Sequence, residues 1–175
     1  MVAPTKHWVN YIWKGTFAMV ERKNIRLKNH DYSGSGLYFI TVCTLDKEEL
    51  FWVDSNMKTE CPQDVKLSSI GQIVDDVIKG IPKIYPTVDV KKYVIMPNHI
   101  HMIIRLNKTE GFASPNISRI IAQMKGCVTK ISGRQIWQKL FYDHIIRNKD
   151  DYLECAKYIY YNPMRWFGKR NIEDD

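Results

Sequence analysis

The chain has 175 residues, with 26 Lys and Arg against 19 Asp and Glu, a net charge of +7. Its hydrophobic share of 45% is enough for a packed core and excludes a disordered chain, and no apolar run reaches transmembrane length. The basic excess points to an anionic partner, of which nucleic acid is the commonest. Cys43, Cys61, Cys127 and Cys155 are scattered with no C-x-x-C pair, which argues against a structural zinc framework and for reduced thiols in a cytoplasmic protein.

Residues 1–21 read as an N-terminal appendage, rich in aromatics but broken by Lys6, His7 and Lys14, so that no signal peptide is expected. A basic stretch follows, with Arg22, Lys23, Arg26 and Lys28, and then a Gly/Ser turn at 31–36. Residues 37–44 are β-branched and aromatic and predict a strand. Residues 45–66 predict a short strand or hairpin. Ser68 or Ser69 is placed to cap a helix over 70–81, which Pro82 should end.

Two strands, 88–96 and 99–106, are expected on either side of Pro97-Asn98. A helix should start with Ser114 as cap and Pro115 in its first turn and run to about residue 131. A short strand near 141–147 leads to a last helix over 148–161, capped by Asn148 and stopped by Pro163. Tyr152, Leu153, Ala156, Ile159 and Tyr160 form its expected packing stripe; Asp151, Glu154, Tyr158 and Asn162 share a different face. These elements predict one α+β domain, a mixed or antiparallel sheet with helices on one face.

Side chains at i and i+2 of a strand point the same way, so His99 and His101 project together while Ile100 faces the core. Two adjacent imidazoles are half of a metal site. Tyr158 and Asn162 are one helical turn apart, so a phenol and an amide can enter one site together. A phenol is a poor nucleophile at neutral pH unless a cation or a shaped site favours phenolate.

Pro97-Asn98-His99-Ile100-His101 resembles the HUH motif of single-strand DNA transposases and replication initiators. Tyr158-Ile159-Tyr160-Tyr161-Asn162-Pro163 is similar to the Tyr-Ile-x-x-Asn-Pro signature of REP-associated tyrosine transposases, single-tyrosine members of that superfamily. Ile25 to Lys28 with Tyr32, Tyr38 to Thr41, and Trp137-Gln138 with Tyr142 to Asn148 extend the resemblance over about residues 22–166, leaving 167–175 as a short tail. The resemblance implies a ferredoxin-like sandwich with a central antiparallel sheet. It implies a magnesium or manganese ion on His99, His101 and Asn162, with Tyr158 as the nucleophile of a strand-cleaving and strand-joining transposase. The implied partner is single-stranded or hairpin DNA, acted on by one subunit or a homodimer, with no membrane involved.

Candidate DNA contacts are Arg22, Lys23, Arg26, Lys28, Lys125, Lys130, His144, Arg147, Lys157 and Arg165. Tyr32, Trp137, Tyr142 and Trp166 are candidates for stacking on unpaired bases, with core packing the competing role. Two other functions compete. One is a DNA-binding module on the same fold that does not cut, which has no need of all four site residues. The other is a zinc hydrolase, for which Asn162 is a poor third ligand.

Overall fold

The computed structural model describes residues 35–55, 65–108 and 115–173. In chain order they form β1 (Gly36–Cys43), a 3-10 turn (Leu45–Lys47), α1 (Ser69–Ile84), β2 (Val88–Ile95), β3 (His99–Leu106), α2 (Ile117–Ser132), β4 (Tyr142–Ile146) and α3 (Lys149–Glu173). The strands make one antiparallel sheet in the order β2-β3-β1-β4. A βαββαβ chain with its first and third strands central is the ferredoxin-like arrangement. The expected α+β sandwich is therefore present, and α3 is added to it at the C-terminal end.

Strand alternation divides the sheet into two faces. Tyr38, Ile40 and Val42 of β1 and Ile100, Met102, Ile104 and Leu106 of β3 lie on one face and are buried. They pack with Val74, Ile78 and Ile81 of α1 and Ile120, Ile121, Met124 and Val128 of α2 in one core. Each such side chain contributes roughly 1.5–3 kcal/mol on burial. The other face carries Phe39, Thr41, His99 and His101, and α3 lies against it through Tyr158.

Ser68 caps α1 by accepting from the Gly71 amide, as expected. The cap of α2 is Asn116, which accepts from the Arg119 amide, rather than Ser114. Two prolines expected to end helices do not. Pro82 sits inside α1, which runs to Ile84, and Pro163 sits inside α3, which runs to Glu173. A proline removes one hydrogen bond, but packing on both sides can hold the helix across it. In α3, Ile159 and Asn162 before the proline and Phe167 after it are all buried, with Phe167 against Trp52 at 5.5 Å. The stripe of α3 also differs. Cys155, Ala156 and Ile159 face inward, whereas Leu153 and Tyr160 are exposed. The segment expected to form a strand or hairpin supplies the 3-10 turn and an isolated bridge between Trp52 and Leu67; residues 56–64 lie outside the described ones.

Asp75 fastens α1 to the sheet. Its carboxylate accepts from Tyr93 Oη of β2 and Lys79 Nζ, each at 2.6 Å. Desolvation acts to raise the Asp75 pKa, but the bonds from Lys79 and Tyr93 outweigh it and hold the carboxyl below its ordinary value. A depressed carboxyl stabilises the fold above the unfolded-state pKa, near 3.8, and loses that contribution as pH falls through the folded value. Asp75→Asn should therefore be less stable than the wild type in denaturant at pH 7. The gap between the two should shrink at pH 3; a gap that holds constant with pH would count against this role.

Candidate active site

The paired histidines stand at the start of β3 because the hairpin turn before them is held from outside. Pro97 O accepts from the amides of Leu50 and Phe51 at 2.8 and 3.0 Å, and Asn98 O accepts from the Thr44 amide at 2.9 Å. The segment from Thr44 to Phe51 thus straps the turn. Asp46 and Lys47 in that strap take positive φ, 51° and 58°, uncommon for residues with a Cβ. The strap presents Lys47 O to Asn98 Nδ2 at 3.2 Å.

That contact orients the Asn98 amide, whose Oδ1 then lies 2.7 Å from His99 Nδ1. An amide oxygen only accepts, so His99 carries its proton on Nδ1 and a lone pair on Nε2. His101 is set by Thr41, its register partner on β1, whose Oγ1 lies 2.8 Å from His101 Nδ1. His101 is 3% exposed, and its Nε2 is buried without a hydrogen-bond partner. Burial lowers the His99 pKa to about 4, and burial with the His99 charge holds His101 well below its usual value. Both rings are neutral at physiological pH. With their centroids 4.6 Å apart, they form a pair of imidazoles suited to a cation.

Helix α3 brings Tyr158 edge-on to His101, ring centroids 5.0 Å apart, and to Phe39 at 5.9 Å. Phe39 in turn stacks on His101 at 5.3 Å. Asn162, 8% exposed, lies one turn on from Tyr158, and its side chain acts on the phenol. Arg165 lies over the Tyr158 ring, 5.5 Å from its centroid. Burial raises the phenol pKa, while the Asn162 side chain and the Arg165 charge pull it down. Trp166 closes the edge beside His99 at 6.3 Å. Two neutral imidazoles, an amide and a phenol with a guanidinium over it can hold a divalent cation next to a nucleophile.

His99, His101, Tyr158, Asn162 and Arg165 are therefore one constellation. The other candidates are dispersed. Arg22, Lys23, Arg26, Lys28 and Tyr32 lie outside the described residues. Lys130, Arg147 and Lys157 are surface residues. Lys125 does not offer a free ammonium to phosphate, because it donates to the carbonyls of Gln138, Lys139 and Leu140 at 2.7 to 3.4 Å and pins that loop. Trp137 is 4% exposed and packs on Phe51 at 5.3 Å, so it is a core residue and not a stacking platform. His144 pairs with Asp151. Thr41 and Asn98, which set the two imidazoles, lie in stretches that carry the resemblance but have no role read from the sequence; Asn98 stands beside His99, whereas Thr41 is 60 residues from its partner.

No family model matches the chain. An uncharacterized protein of Haemophilus influenzae (strain Rd) is 33% identical over 167 residues, covering 83% of this chain and 89% of that one. A REP-associated tyrosine transposase of Escherichia coli K12 is 31% identical over 87 residues, about half of each chain (49% and 50%). A solved REP-associated tyrosine transposase, bound to a REP hairpin, superposes with a TM-score of 0.59 at 25% identity, covering 80% of this chain and 74% of that one. The fold is that of the transposase domain of this solved relative. The chain is similar to the REP-associated tyrosine transposases, in sequence over half of its length and in fold over four-fifths of it. Among the described residues no helix is long and apolar enough to cross a membrane.

Proposed function

We propose that the protein is a single-strand DNA endonuclease and strand-transferase. It cuts and rejoins DNA at hairpin, REP-like sequences through a 5′-phosphotyrosine on Tyr158, and works in the cytoplasm with magnesium or manganese. The observation that carries this reading is the buried convergence at His101. Its unpartnered Nε2 sits beside a phenol on which the Asn162 side chain acts. An unsatisfied buried nitrogen costs about 1–3 kcal/mol, a cost that a bound ion removes.

The donor set fits such an ion. His99 and His101 offer neutral ring nitrogens and Asn162 an amide oxygen, a harder set than one containing thiolate. When bound, the cation supplies Lewis-acid polarisation of the scissile phosphate. Tyr158 Oη attacks phosphorus, the bond from phosphorus to O3′ breaks, and the phenol proton passes through solvent to O3′, which leaves as the 3′-OH. Arg165, against the phenol ring, stabilises the phenolate as it forms. Asn162, one turn on from Tyr158, is placed to orient the tyrosine oxygen. Attack by a second 3′-OH reverses the step and regenerates the phenol, so no ATP is consumed. The hairpin substrate is inferred from the solved relative, which is bound to a REP hairpin.

End-labelled single-stranded hairpins from DNA flanking the gene test this reading on denaturing gels. Cleavage with magnesium or manganese is expected, with the downstream fragment attached to protein. Chelation or His101→Ala should reduce it by at least about 100-fold. Undiminished cleavage in chelator would overturn the metal assignment. A hairpin-binding protein that does not cut is favoured by one observation, the burial that keeps the Tyr158 phenol protonated. Binding without cleavage in either metal would select it.

A further inference from the structure

A second cluster of metal-ligating groups lies on the same sheet face, outside the proposed catalytic set. His144 of β4 is the register partner of Phe39. Its Nε2 lies 3.0 Å from both Oδ1 and Oδ2 of Asp151, in the first turn of α3. Cys155, one turn further on, directs Sγ to Asp151 Oδ1 at 3.9 Å. One donor atom from each residue falls within 4.8 Å of the other two. Phe39 separates this cluster from the paired histidines, since its ring stacks on His101 while its backbone pairs with His144.

We propose that His144, Asp151 and Cys155 form a second metal site that takes a borderline-soft transition ion, best fitted by zinc. Three observations support this. The donors are one imidazole nitrogen, one carboxylate and one thiol, the mixed set that zinc accepts and magnesium does not. Ligand atoms bound to a tetrahedral zinc at about 2.0–2.3 Å stand roughly 3.3–3.8 Å from one another. The two spacings to Asp151, 3.0 and 3.9 Å, bracket that range, and no two of the three donor atoms are more than 4.8 Å apart. A simple ion pair accounts for His144 and Asp151, but not for a thiol at 1% exposure turned onto the same carboxylate.

The carboxylate is also held in place, because Asp151 Oδ2 accepts from the Arg147 amide at 3.1 Å. Three protein ligands leave a fourth position for water. The ligands come from β4 and from the first two turns of α3, so a bound ion fastens to the sheet the helix that carries Tyr158. Burial, with the charges of Asp151 and Glu154, raises the Cys155 thiol pKa to about 12. Metal entry must therefore displace a proton, and affinity rises with pH. A bound ion here would act on the placement of α3, and its identity does not depend on that of the ion at His99 and His101.

Cobalt(II) titration of the full-length protein tests the assignment, because a thiolate bound to cobalt gives a charge-transfer band in the near ultraviolet. The band should be fully developed by two equivalents, and zinc should bleach it. Cys155→Ser should abolish the band, and His144→Gln should weaken cobalt binding at least tenfold. Cys43→Ser and His99→Gln should leave it unchanged, with folding of every variant checked by circular dichroism. Should Cys155→Ser fail to fold, His144→Gln decides. No band in the wild type at saturating cobalt would overturn the site, as would a band lost in Cys43→Ser, which would place the thiolate beside the paired histidines.

Discussion

Tyr158→Phe is expected to lower strand cleavage by on the order of 10⁴-fold or more and to remove the covalent protein–DNA adduct, while hairpin affinity stays within about twofold. The substitution deletes one oxygen and keeps the ring. The edge-on contacts with His101 and Phe39 remain, as does the guanidinium of Arg165 over the ring. What is lost is the phenol oxygen on which the Asn162 side chain acts. A denaturant titration checks that the variant keeps its fold. Hairpin binding is read by fluorescence anisotropy, and cleavage by denaturing gel with both ends labelled. Cleavage that survives in the phenylalanine variant, with no protein attached to either fragment, would show that water is the nucleophile and would return the zinc-hydrolase mechanism to consideration.

Gly71→Ala should be the most destabilising Gly-to-Ala change among the described residues, by up to about 2 kcal/mol net of its gain in helix propensity. A Cβ built at Gly71 falls 2.1 Å from Phe51 O and 3.2 Å from Leu67 Cβ. Phe51 O is backbone, and it accepts from the Ser68 amide at 2.9 Å, so it cannot swing aside as a side chain would. Overpacking of this kind costs about 1–3 kcal/mol or more. The better helix propensity of alanine returns about 1 kcal/mol. Gly80→Ala supplies the control in the same helix, since no atom lies within 4 Å of a Cβ there. It should gain up to about 1 kcal/mol. Denaturant midpoints at constant slope measure both, and equal midpoints would show that α1 does not press on Phe51. The effect should reach function as well. Phe51 is part of the strap that holds Pro97, so moving it disturbs the turn that presents His99.

Strand and helix positions were legible where β-branched and aromatic runs or helical spacing of apolar residues mark them. β1 and the β2-β3 hairpin fall within a residue or so of expectation, and α1 and α2 carry their buried residues at helical spacing. α3 was read less well, and for a physical reason. Its inward face carries Tyr158 and Asn162 together with Cys155 and Ile159, while Leu153 and Tyr160 point to solvent. A hydrophobicity pattern assigns polar residues to the outside, so it separates the chemical face from the packing face; in this helix the two coincide. Pro163 misled in the same way, because the contacts that carry the helix past it, Phe167 with Trp52, join positions more than 100 residues apart. Lys125 looked like a phosphate contact because its partners are carbonyls of a loop 13 to 15 residues away, which no local pattern shows.

By itself the sequence determined what depends on local spacing. Alternation puts His99 and His101 on one side of a strand, helical periodicity puts Tyr158 and Asn162 one turn apart, and the net charge of +7 calls for an anionic partner. Only the tertiary structure decided that these two pairs meet. It did so by laying α3 on the face of the sheet opposite α1 and α2, and by supplying Thr41 and, through Lys47, the orientation of Asn98. The same packing leaves His101 Nε2 buried and unpartnered, and brings Cys155 to His144. Those are contacts between residues far apart in the chain, set by how elements pack rather than by what each prefers alone.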